Sequence, residues 1–175
     1  MPAPIEIVDY DALWPSQFAE ERERLLYAIG SWLRGSIEHV GSTAVPGLRA
    51  KPVIDIMAGV DNLAMSRDTI PVLGRLEYQY WPYKSDVMHW FCKPSAEFRT
   101  HHLHLVPVGS STWVERLAFR DRLRADASAR IEYATLKEVL ATRHRDDREA
   151  YTNGKTDFVR RMVAIELQQN PRVPG

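Results

Sequence analysis

SIEHVGSTAVPGLRAKPVIDIMAGV, residues 36–60, decides the fold. Residues 36–40 and 52–60 are short runs rich in Val and Ile, and the loop 41–51 between them carries Gly41, Ser42, Thr43, Pro46 and Gly47, so the segment reads as strand, loop, strand. The second strand is apolar enough to be central, with Asp55 standing among Val53, Ile54, Ile56 and Met57. A bare buried carboxylate is costly, so Asp55 requires a hydrogen-bonding, cationic or metal partner. Strand alternation puts Asp55 on one face with Val53 and Met57, which leaves one carboxylate at this spot and not two. In the loop, glycine allows backbone N–H groups to approach a phosphate, Ser42 and Thr43 add hydroxyl donors, and Lys51 or Arg49 adds charge. A Gly-Ser pair alone is more often an ordinary turn.

Upstream, residues 4–8 have an extended pattern, and Pro15 suits the first turn of a helix reaching to about residue 34, with Phe18, Leu25, Ile29, Trp32 and Leu33 on its apolar stripe. Downstream, the pattern predicts a helix over 63–75 and strands over 78–82, 86–94 and 99–108. Thr112 and Glu115 have the spacing of a capping box, and helices are expected over 113–125, 129–142 and 148–168. This order is α+β and not a βαβ repeat. It divides the chain into a core (1–109), a helical segment (110–170) packed on it as one structural unit, and a frayed tail (171–175).

Composition limits the function. The chain has 175 residues, 45% hydrophobic, enough for one compact domain. Its 23 basic and 23 acidic residues cancel, so no global field exists to hold bulk nucleic acid or an anionic membrane. The balance is uneven along the chain: residues 1–109 hold 10 basic and 13 acidic residues, and residues 110–175 hold 13 and 10. Helices can therefore bring cations to a site built by the sheet. A lone Cys92 excludes an intramolecular disulfide, the N-terminus lacks a basic signal-peptide region, and no apolar run approaches the ~20 residues that span a bilayer. A soluble cytoplasmic protein is the expectation.

Several side chains can carry chemistry. His102 and His104 project from one face of a strand, with His101, Leu103 and Leu105 on the other; two imidazoles on one face can ligate Zn, Mn or Fe, hold phosphate or shuttle a proton, or simply be hydrogen-bonded at a sheet surface. His39 precedes the Gly-Ser loop. Lys137 and Lys155, two of only five lysines, interrupt apolar helical stripes, where each either snorkels to water or points at an anion. Arg120 and Arg124 share a helix face, and Arg120 can clamp phosphate or pair with an acid. Trp14, Trp81, Trp90 and Trp113 read as core or cleft-lining rings.

The run 37–60, together with VDYDALWPSQFAEE (8–21), RTHHLHLV (99–106), LAFRDRLRAD (117–126), YATLKEVL (133–140) and YTNGKTDFVRRM (151–162), resembles the GrpB family over almost the whole chain. The resemblance implies a nucleotidyltransferase-like mixed sheet with flanking helices and a C-terminal helical segment closing a cleft. In that superfamily a strand ends in Gly-Ser and a later strand carries two carboxylates for divalent metal. Gly41, Ser42 and Asp55 match those positions, and Met57 occupies the second carboxylate position. A thioether is no ligand for a hard cation, so His102 and His104 become the candidate further ligands beside Asp55 for a divalent metal, Mg, Mn or Zn, with Mn or Zn suiting the imidazoles better than Mg.

The resulting expectation is an enzyme acting on a nucleotide or small phosphorylated metabolite. Asp55, His102 and His104 are the catalytic and metal candidates, and His39, Gly41, Ser42, Thr43, Lys51, Arg120, Lys137 and Lys155 the ligand-binding ones. The alternatives are a non-catalytic nucleotide- or anion-binding module that lost the metal pair, and a metal-dependent phosphoesterase. Relatives fused to dephospho-CoA kinase domains point weakly to nucleotide chemistry; this chain has no P-loop.

Overall fold

The computed structural model describes residues 5–172. Five strands form one mixed sheet: β1 (Leu33–Val40), β2 (Ile54–Val60), β3 (Gln79–Trp81), β4 (His89–Pro94) and β5 (Arg99–Pro107), in the order β1-β2-β5-β4-β3. Only β2 and β5 run parallel, with Asp55 opposite His102 and Met57 opposite His104; β1 lies antiparallel to β2, with Val40 opposite Asp55. The central position of β2 matches its continuous apolar run, since both its faces are covered.

Helices α1 (Trp14–Ile29), α2 (Leu63–Ser66) and α3 (Thr69–Gly74) precede β3, and α4 (Ser111–Ala125), α5 (Ala127–Arg143), α6 (Arg148–Asn153) and α7 (Thr156–Gln169) follow β5. Leu25 and Ile29 of α1 and Leu73 of α3 pack with Ile54, Ile56, Phe91 and Leu103 on one face of the sheet. Each fully buried aliphatic side chain there contributes about 1.5–3 kcal/mol. On the same side Lys93 donates to Glu21 of α1 at 2.8 Å, a buried ion pair. The opposite face packs Val40, Met57 and Val106 against Leu117 and Trp113 of α4. A further cluster joins Val45 and Leu48 of the 41–51 loop to Leu123, Tyr133, Phe158 and Met162 of the C-terminal helices. The helical segment is thus tied to the loop that leads into Asp55.

The elements depart from the sequence pattern at several boundaries. The first helix ends at Ile29 in a short 3-10 turn, and Leu33 pairs with Val60, so the stretch expected to extend the helix to residue 34 is already strand. The 63–75 helix is split, because Pro71 has no N–H for the Arg67 carbonyl; Asn62 caps the first piece, its side chain accepting from Met65 N at 2.9 Å. Ser110 caps α4 in place of Thr112. The 148–168 helix breaks at Gly154 and Lys155. In the extended segment expected at 4–8, Val8 makes an isolated bridge to Ala50, while residue 4 lies outside the described residues. Of the tail, Arg172 pairs with Asp121, and residues 173–175 lie outside the described residues. No helix among the described residues is long and apolar enough to cross a membrane.

Candidate functional site

Parallel pairing of β2 with β5 sets Asp55, His102 and His104 side by side on the face that α4 covers. His102 Nδ1 lies 2.9 Å from Asp55 Oδ1. A carboxylate only accepts, so Nδ1 carries the proton and Nε2 of a neutral ring keeps its lone pair. His104 Nε2 is 3.8 Å from the same oxygen, too far for a hydrogen bond. The Nε2 of His102 and both ring nitrogens of His104 are buried without a hydrogen-bond partner. Buried ring nitrogens of this kind are completed by water, an ion or another ligand. One donor atom from each of the three residues falls within 4.8 Å of the others, a metal-ligating spacing. Asp55 retains 29% side-chain exposure, so the cluster opens on one side.

Electrostatics keep the cluster ready for a cation. Burial, the largest single influence, would raise the Asp55 pKa, but His102 and His104 together outweigh it and hold the carboxyl well below its ordinary range. Burial and the charge of Arg116 lower His104 to about 3, so its imidazole is neutral at physiological pH. Neutral imidazole and carboxylate are the ligand forms metals require. Two imidazole nitrogens and one carboxylate oxygen suit a single borderline cation such as Zn, with the harder Mn the alternative that the carboxylate favours. A pair of hard Mg ions does not fit, because Met57 is fully buried in apolar packing where a second carboxylate would be needed.

Gly41 positions the carboxylate. Its φ is +72°, and a Cβ there would stand 2.5 Å from Asp55 Oδ2, so only glycine lets the loop close over the acid. Ser42 follows beside the Tyr133 hydroxyl, and Thr43 donates to the Val53 carbonyl at 3.1 Å, bracing the two ends of the loop.

Cations surround the cluster. Lys155 Nζ stands 4.4 Å and Lys51 Nζ 5.5 Å from the centroid of the same Tyr151 ring. Burial first, then mutual repulsion, lowers Lys155 to about 8, while the Asp55 charge opposes the shift; burial and Arg148 lower Lys51. No acid lies within ion-pair distance of either amine among the described residues. Two partly desolvated ammonium groups over one ring therefore have no acid in direct contact and feel the Asp55 charge only at a distance.

Other expected ligands are spoken for. His39 lies opposite Ile56 and so on the other sheet face from Asp55; its ring stacks on Phe18 at 4.7 Å, its Nε2 meets Thr43 Oγ1 at 3.0 Å, and burial lowers it to about 4. Arg120 forms ion pairs with Glu38 at 2.6 Å and Asp121 at 2.7 Å and donates to the His39 carbonyl. Lys137, 2% exposed, donates to the Arg49 carbonyl. The structure therefore brings Gly41, His102 and His104 against Asp55, sets Lys51 and Lys155 where the Asp55 charge reaches them, places Ser42 beside Tyr133, and engages His39, Thr43, Arg120 and Lys137 in contacts of their own.

Arg116 is an addition to the expected set. It lies one helical turn before Arg120, with Arg124 one turn after, and its charge reaches both Asp55 and His104. The four-residue spacing of the three arginines was its sequence signal. Arg116 contacts Met88 Sδ at 3.9 Å, and Arg124 donates to the Ala44 carbonyl at 2.9 Å.

Lys137 carries a stability prediction. Burial and the charge of Lys155 lower it from 10.5 to about 7. Between those values the unfolded chain binds a proton that the folded chain lacks, so stability rises with pH across the window. In Lys137→Met, urea unfolding from pH 7 to 10 should show a shallower rise, with the Lys155 contribution remaining from about 8 upward. An equally steep rise in the variant would assign the slope to other groups.

Comparison with known proteins agrees with this architecture. Residues 4–164 match the family described as GrpB protein. A UPF0157 protein of Pseudomonas aeruginosa is 38% identical over 97% of this chain and 71% of its own length. The crystal structure of conserved protein GrpB from Enterococcus faecalis superposes with a TM-score of 0.83 at 29% identity, covering 94% of this chain and 98% of that one. A chain in the structure of the GLD-2/RNP-8 complex superposes with a TM-score of 0.54 at 16% identity, covering 96% of this chain and 64% of that one, a likeness of fold alone. The five-stranded mixed sheet with its flanking helices is thus an α+β fold that both superposed structures share. Sequence match and superposition span nearly the same residues, and on both grounds the chain belongs to the GrpB family.

Proposed function

We propose that the protein is a nucleotidyltransferase-like enzyme that binds a nucleotide or another small phosphorylated metabolite at the opening around Asp55. The observation that carries this reading is the pair of uncompensated lysines, Lys51 and Lys155, crowded over Tyr151 beside a carboxylate–imidazole cluster. Two half-buried ammonium groups without an acid in contact are stabilised by an anion, and phosphate oxygens supply both the charge and the acceptors. Arg116 adds positive charge from the α4 side. Asp55, His102 and His104 would hold one divalent cation, whose Lewis acidity polarises a phosphoryl oxygen. Gly41 keeps the carboxylate in place, and the Ser42 hydroxyl is a donor for a phosphate oxygen.

A second reading has its own support. Met57 fills the second carboxylate position with apolar packing, which favours a binding module without group transfer. Calorimetry with inorganic tripolyphosphate and ATP, each with Mn²⁺, tests the shared part: binding should weaken by about two orders of magnitude or more in Lys51→Met/Lys155→Met, from the loss of two charge-assisted contacts. Equal affinity in the double variant would remove the lysines from the site. Assaying pyrophosphate release from nucleoside triphosphates, with a panel of acceptors, separates enzyme from module.

A further inference from the structure

Beyond the phosphate site, an aromatic wall stands on the same sheet face. Trp81 of β3 pairs directly with Trp90 of β4, and Trp90 with His104 of β5, so these side chains share the face that carries Asp55. The Trp90 ring lies 5.2 Å from the His102 ring, and Tyr83 meets Trp90 edge-on at 6.3 Å. Helix α4 packs near β1 and β5, while the β3 edge remains open: Trp81 is 43% and Tyr83 51% exposed. Two large rings exposed beside a polar cluster are costly to leave in water without a use.

Charge links this wall to the lysines. The Arg99 guanidinium lies 5.2 Å from the Trp90 ring centroid, and its charge is felt at Lys51. Contact by contact, Tyr83 meets Trp90, Trp90 meets His102, and His102 holds Asp55, whose charge is felt at Lys51 and Lys155. Rings at one end and uncompensated cations at the other are complementary to a molecule with a planar base and a phosphate chain.

We infer that Trp81 and Tyr83, backed by Trp90, form the subsite that stacks the base of a nucleotide whose phosphates reach Lys51 and Lys155. The inference rests on the phosphate-binding reading above and names its substrate class as a nucleotide rather than a sugar phosphate or inorganic polyphosphate. Stacking accepts any base, because every base presents a π face, so the subsite favours nucleotides as a class with weak preference among them.

Calorimetry with ATP, CTP and inorganic tripolyphosphate, all with the same Mn²⁺ concentration, tests the two readings separately. Wild-type protein should bind both nucleotides at least about tenfold more tightly than tripolyphosphate, the increment expected of one stacked base. Trp81→Ala and Tyr83→Ala should erase most of that increment while leaving tripolyphosphate affinity within about twofold, and Trp81→Phe should restore it. Both positions are exposed, so the fold should survive, which circular dichroism checks. If tripolyphosphate binds and the nucleotides bind no better, or if the increment persists in both alanine variants, the stacking subsite is overturned while the phosphate site stands. If none of the three ligands binds, both readings fall.

Discussion

Asp55→Asn should abolish the thermal stabilisation that Mn²⁺ or Zn²⁺ confers on the wild-type protein, and with it any metal-dependent turnover. A ligand present at 100 times its dissociation constant stabilises the folded state by about 2.7 kcal/mol. For a chain of this size that corresponds to a rise of about 5–10 °C in Tm. The substitution is nearly isosteric: the amide oxygen still accepts from His102 Nδ1, so the His102 ring keeps its orientation and the fold should hold. What is lost is the negative charge that offsets the desolvation of a dication between two neutral imidazoles. Mg²⁺ should stabilise the wild-type less than Mn²⁺ or Zn²⁺, because nitrogen donors suit the softer ions. The same variant should flatten the acid limb of stability. The folded carboxyl titrates below its ordinary value, so its contribution is present above the unfolded pKa and disappears as pH falls through the folded one. A metal-induced shift of equal size in Asp55→Asn would remove the cluster from the site.

Much of this site was legible because strand alternation is strict. Asp55 among aliphatic residues and His102 with His104 on one face follow from a period of two, and both hold in the sheet. Register was not legible. That β5 lies directly beside β2, with Asp55 opposite His102, depends on β3 and β4 being laid outside β5, which no local pattern encodes. The same point decides His39, a candidate ligand because it precedes the Gly-Ser loop. Antiparallel pairing sets Val40, not His39, across from the carboxylate, and a difference of one residue moves the side chain to the other face. Helix faces behaved similarly. The apolar stripe around Lys137 marked burial, but its carbonyl partner comes from the distant Arg49. Arg116 was readable from its spacing to Arg120 and Arg124, yet only the packed sheet distinguishes the arginine facing Asp55 from the one paired with Glu38.

Gly41→Ala should be among the most damaging single substitutions in the chain, and Gly47→Ala is its control. Both glycines have positive φ, +72° at Gly41 and +76° at Gly47. At Gly47 an added Cβ meets nothing within 4 Å, so the cost is backbone strain alone, about 1–2 kcal/mol. At Gly41 the backbone also has ψ −171°, a region open essentially to glycine, with strain of about 1–3 kcal/mol. The new methyl would in addition lie 2.5 Å from Asp55 Oδ2 and 3.0 Å from Asp55 Cβ. Either the loop lifts, taking Ser42 and Lys51 with it, or the carboxylate turns away from His102 and leaves a partly buried acid without its hydrogen bond, a loss of about 1–3 kcal/mol. Gly41→Ala should therefore cost roughly 2–6 kcal/mol, above Gly47→Ala in urea unfolding at pH 7. It should also lose metal-induced stabilisation at temperatures where it remains folded. Combining it with Asp55→Ala, which removes the atoms the methyl strikes, should recover part of the stability lost by Gly41→Ala, because the two residues are in contact and their effects do not add. Full additivity of the two substitutions would mean that the glycine serves the turn alone and not the carboxylate beneath it.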